Sequence, residues 1–102
     1  MSSKQPMPVR PWSLYVMCEE GAEATGPFKI GTARVVKYRM AGMKSGNWRN
    51  LILLHEIRVP SESDAIALES CIHRALASHR IPTRDWFLGP PSLALSILKD
   101  RT

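Results

Sequence analysis

The sequence predicts one α+β domain, a small sheet sandwiched by helices, with elements in the order strand, strand, helix, strand, helix, aromatic turn, helix. Three observations predict it. Two short apolar runs, Trp12 to Cys18 and Phe28 to Gly31, flank a loop rich in glycine, proline and acid. The stripe Ala65, Leu68, Ile72 and Leu76 recurs at spacings of three and four, as on one face of a helix. At 102 residues the chain is long enough for one hydrophobic core and too short for a second.

Met1 to Pro11 holds Pro6, Pro8 and Pro11 with Lys4 and Arg10, which keeps the backbone extended and makes residues 1–11 a disordered basic leader to a domain over 12–102. In the first strand Trp12, Leu14, Val16 and Cys18 share one side, and Ser13, Tyr15 and Met17 the other. In the second, Phe28 and Ile30 point one way and Lys29 the opposite way. Packing both apolar sides in one core leaves the Tyr15 phenol and the Lys29 ammonium together on the reverse face, under a ligand or a covering helix. Gly31 allows a close approach there. Glu19 to Pro27, with Gly21 and Gly26, is a long hairpin loop whose negative charge argues against phosphate contact.

Thr32 can cap a helix running through Val35, Tyr38, Arg39 and Gly42, with Gly46 and Asn47 as its exit. Leu51 to Val59 is a third strand, apolar on both faces at its start, as expected where a sheet is covered on both sides; Pro60 ends it. Ser61 with Asp64 three residues on is a capping pattern, so the next helix begins there and extends to about Ser78. Glu69 and His73 lie along the edge of its apolar stripe. His79 to Arg84 is an exposed basic loop broken by Pro82. Asp85-Trp86-Phe87-Leu88 turns two large aromatics back to the core, and Gly89-Pro90-Pro91 stops it. Ser92 then caps a final helix that packs Leu93, Leu95, Ile97 and Leu98.

Fourteen Lys and Arg against nine Asp and Glu give +5 at neutral pH, which favours an anionic partner and raises nucleic acid above neutral small ligands. The two cysteines, Cys18 and Cys71, have no zinc or disulfide spacing and read as reduced thiols of a cytoplasmic protein. The apolar run Leu51-Ile52-Leu53-Leu54 is far too short to cross a bilayer, and residues 1–11 lack the apolar centre of a signal peptide, so no membrane partner is expected.

Ser13-Leu14-Tyr15, Lys29-Ile30-Gly31, Arg39, Gly46-Asn47, Glu69, His73 and Asp85-Trp86-Phe87, in that order, resemble the GIY-YIG endonuclease superfamily over about residues 12 to 88. The likeness is to the branch common in phage and bacterial open reading frames, where Lys-Ile-Gly stands for Tyr-Ile-Gly and a Glu-Trp-Phe segment closes the domain. The resemblance implies a three-stranded antiparallel sheet flanked by helices, and metal-assisted phosphodiester hydrolysis of DNA.

Residue by residue, the resemblance implies that Tyr15 activates the attacking water, which for a phenol of ordinary pKa near 10 requires a neighbouring cation or metal. Lys29, in the place of the second tyrosine, would supply that cation or hold a phosphate as a point charge. Arg39 would clamp the scissile phosphate, with Arg34 as a substitute, because a guanidinium fork matches two phosphate oxygens. Glu69 would hold one Mg2+ or Mn2+ ion, and His73 would orient that carboxylate or contact the backbone. Met43 and Asn50 stand in the region where many members carry a histidine or second tyrosine, and Asp85 near the late asparagine. Lys37, Lys44, Arg49, Arg80 and Arg84 would track phosphates, and Trp48 would stack on an exposed base, with low sequence specificity. Cutting both strands from one small site would call for a homodimer or two encounters. The rival readings are an inactive module of the same fold that binds DNA or a protein, and a phage-type protein that binds a host partner through Trp48 and the final helix.

Overall fold

The computed structural model describes residues 11–44, 50–82 and 86–101. Strand β1 (Trp12–Glu19) and strand β2 (Phe28–Ala33) form the expected hairpin, followed by helix α1 (Val36–Lys44), strand β3 (Leu51–Val59), helix α2 (Glu62–Ala75), a 3-10 turn (Ala77–His79), strand β4 (Trp86–Phe87) and helix α3 (Ser92–Arg101). Residues 1–10 of the expected leader lie outside the described residues, as do Gly46, Asn47, Trp48, Arg49, Arg84, Asp85 and the side chain of Lys44.

The sheet has four strands rather than three, in the order β3-β1-β2-β4, with every neighbouring pair antiparallel. The extra strand is the expected aromatic turn: Phe87 pairs with Phe28 and Trp86 with Lys29. Two residues are too few for the alternation by which a strand is read from sequence. Thr32 is also reassigned. It does not cap a helix but pairs with Leu14 inside β2, a place suited to a β-branched side chain. Ser92 is the first residue of α3 rather than its cap, and the first turn hangs from the Pro91 carbonyl through the Ala94 and Leu95 amides. Helix α2 ends at Ala75, and only the 3-10 turn continues towards Ser78.

Alternation along β1 and β2 holds as expected, and each face acquires its own cover. Leu14, Val16, Cys18, Phe28 and Ile30 pack with Ile72 and Leu76 of the α2 segment, Phe87, and Ala94 and Leu98 of α3. On the other face Tyr15, Met17 and Ala33 pack with Val36 and Leu51, joined by Met40, Met43 and Trp86. Thus α1 covers one face, and α2 with α3 the other. The central strand β1 is buried at every position from Ser13 to Cys18. Between Val16 and Met17 its pairing with β3 shifts by one, so that Leu53 opposes Met17 while His55 opposes Val16. That bulge inserts Leu54 as an extra residue in β3 and reverses the parity of everything after it.

Candidate functional site

Tyr15 sits opposite Gly31 in the β1–β2 register, and its side chain crosses that glycine. A Cβ on Gly31 would fall 2.6 Å from Cζ of Tyr15, so only glycine allows the ring to lie there. The close approach expected at Gly31 is therefore made by the chain's own phenol, which is 1 % exposed. Lys29, two residues earlier on the same face, opposes Met17 on β1 and Trp86 on β4 and is half-buried. The structure thus brings Tyr15 and Lys29 to one face, as parity predicts.

Arg39 rides on α1, the helix that covers this same face through Val36, Met40 and Met43. Its side chain is exposed, as are those of Arg34 and Lys37. Glu69 and His73 come from the opposite side of the sheet, on α2. His73 Nε2 lies 3.4 Å from the Ile30 carbonyl, and the ring packs edge-on to Phe87 with centroids 5.0 Å apart. A carbonyl can only accept, so the contact favours the tautomer with hydrogen on Nε2 and makes His73 a backbone contact. Val59, just before α2, pairs with Trp12 beside the Ala33 end of β2, so α2 runs from that end towards Phe28. The turn carrying the half-buried Glu69 therefore passes alongside the stretch from Ala33 to Ile30. From opposite faces of the sheet, the Tyr15 ring reaches Gly31 and His73 reaches the Ile30 carbonyl.

The remaining expected contacts are dispersed. Lys37 is exposed on α1, and Arg80, exposed after the 3-10 turn, bridges to Phe87 through its backbone. Asn50 turns away to the hairpin loop, where its amide donates to Glu20 Oε2 at 2.9 Å and its carbonyl accepts from the Glu20 amide. Lys44, Trp48, Arg49, Arg84 and Asp85 fall among the side chains outside the described set.

Glu56, and its contact with Ser13, were not singled out in the sequence. The buried Ser13 hydroxyl donates to Glu56 Oε2 at 2.5 Å, and Glu56 stands directly opposite Tyr15, on its face of the sheet. With Val36, Lys37, Met40, Ala41 and Leu53 it lines an open groove of about 380 Å³ between α1 and β3. Counted by alternation from Leu51, Glu56 would belong to the other face. Only the bulge at Leu54, which leaves no composition signal, brings it round.

Among the described residues no three His, Cys, Asp or Glu side chains gather as a group that could hold a metal ion. Glu69 stands as a single half-buried carboxylate on α2. No helix among the described residues is long and apolar enough to cross a membrane.

A family model described as the T5orf172 domain matches residues 13–100. Neither a curated protein nor a solved structure matches the chain.

Proposed function

The chain belongs to the T5orf172 domain family, and on that premise we propose that it is a small Mg2+-dependent DNA endonuclease of the GIY-YIG type. The family is phage-associated and of nuclease-like character, which supports a DNA-directed role. The observation that supports the reading further is the face shared by three of these residues: the Tyr15 ring lies across Gly31, Lys29 stands two residues away on the same face, and α1 with Arg39 covers it.

In this reading Tyr15 orients the attacking water through a hydrogen bond, and Lys29, on the same face, holds a phosphate as a point charge. Arg39 binds two non-bridging oxygens of the scissile phosphate and offsets the charge that develops there. Glu69, on the α2 side of the sheet, would hold Mg2+ with the substrate. The ion, when bound, supplies Lewis-acid polarisation of the phosphate. His73, tied to the Ile30 carbonyl, holds the Glu69 turn against β2.

A second reading, DNA binding without cleavage, is favoured by the near-complete burial of Tyr15, which equally suits a ring that serves only as core. One experiment separates the two. Purified protein is incubated with supercoiled, single-stranded and branched DNA, with Mg2+ and with chelator, beside Glu69→Ala. The endonuclease reading expects Mg2+-dependent products from the wild type and a fall on the order of 100-fold or more in the variant, with its melting transition still cooperative. Unchanged cleavage by Glu69→Ala sinks the assignment of Glu69. DNA retention without products selects the binding module.

A further inference from the structure

Helix α1 carries a large side chain that the core does not use. Tyr38 is 71 % exposed, more than any other large hydrophobic residue among those described. Exposing most of an aromatic ring on a helix contributes nothing to packing, since such rings ordinarily bury 150–250 Å². Its neighbours Lys37 and Arg39 are both exposed, and Arg34 is exposed just before the helix. One turn beyond Tyr38 stands Gly42, where a Cβ would meet no atom within 4 Å, so the helix surface beside the ring is open. A glycine inside a helix costs about 1 kcal/mol relative to alanine, and no close packing against that position requires it.

The charge of the whole chain is concentrated here. From Phe28 to Asn50 the sequence has six cations, Lys29, Arg34, Lys37, Arg39, Lys44 and Arg49, and no carboxylate. The rest of the chain has eight Lys and Arg against nine Asp and Glu, so the net positive charge resides in this one stretch. An aromatic platform set among cations suits a polyanion that also offers flat rings. Paired duplex bases are stacked on each other and present only their edges, whereas an unpaired base presents a face.

We infer that Tyr38 is a stacking platform for an unpaired base, so that the DNA held on α1 is single-stranded or carries unpaired bases. The inference rests on the DNA-directed reading above and specifies its substrate class. Lys37 and Arg39 hold the phosphates on either side, and the open surface at Gly42 leaves room for the base to lie against the ring.

The test is fluorescence anisotropy of the full chain with a single-stranded oligonucleotide and with its duplex, at one fixed salt concentration. Tyr38→Ala weakens single-strand binding about 10-fold, the loss expected of one stacked base, and leaves duplex binding within about twofold. Tyr38→Phe, which keeps the ring face, retains both. Gly42→Leu reproduces the selective loss, because a helical leucine leans back over the residue four positions earlier. Lys37→Ala weakens both forms alike. Tyr38→Ala acting equally on both forms, or on neither, overturns the inference while leaving the DNA-directed reading in place. A wild-type protein that binds neither oligonucleotide overturns both. A protein that cuts nothing yet shows the Tyr38-dependent preference loses the endonuclease reading and keeps this one.

Discussion

At Gly31 an added methyl would collide with a ring that has nowhere to go, because Tyr15 is buried between β2 and the cover of α1. Gly31→Ala is therefore expected to destabilise the fold by about 1–3 kcal/mol, the usual cost of overpacking, read from the urea midpoint. In a Tyr15→Ala background the same substitution should cost much less, and a coupling near zero in that double-mutant cycle would show that the two residues do not meet. That Tyr15 and Lys29 share one face was legible in the sequence because β1 and β2 run without interruption and parity suffices. Glu56 was not legible, since the extra residue at Leu54 turns it to the other face. The partner of His73 was equally hidden: it is a backbone carbonyl, and every residue has one.

Helix α2 illustrates an element whose beginning is written locally and whose end is not. The Ser61 hydroxyl accepts from the Asp64 amide at 3.2 Å, as the capping pattern predicts. Ser61→Ala should cost about 1 kcal/mol and lower the melting temperature by roughly 4–8 °C in a domain of this size; a shift below 1 °C in calorimetry would mean that the cap contributes nothing. At the other end Leu76 is buried in the core, and the chain tightens into the 3-10 turn, an ending set by packing. Strand β4 belongs to the same class. Phe87 is held by stacking on Phe28, with centroids 5.5 Å apart, and by the edge contact with His73, all of them contacts distant in sequence. Thr32 shows tertiary context overriding local preference: its hydroxyl suits a cap, but the register with Leu14 keeps it in the sheet.

For the molecule as a whole, alkaline pH gives a test of the core that does not depend on function. Burial pushes the Cys18 thiol above its ordinary value of 9.0, and the Glu23 and Glu19 carboxylates push the same way. The folded state thus binds this proton more tightly than the unfolded chain does. Its contribution is fully present below the unfolded value and is lost as pH rises from there through the folded value. Urea midpoints measured from pH 7 to pH 10 should fall more steeply in the wild type than in Cys18→Ala, and parallel profiles would refute a buried, protonated Cys18. The same central strand that buries Cys18 also carries Tyr15, three positions away and equally enclosed. Amides in such a strand exchange with solvent only when the entire domain opens, whereas an exposed helix such as α1 can lift locally at far smaller cost. A buried phenol and an exposed guanidinium carried by these two elements therefore differ in freedom: Tyr15 is fixed by the sheet, and the Arg39 side chain can move with α1.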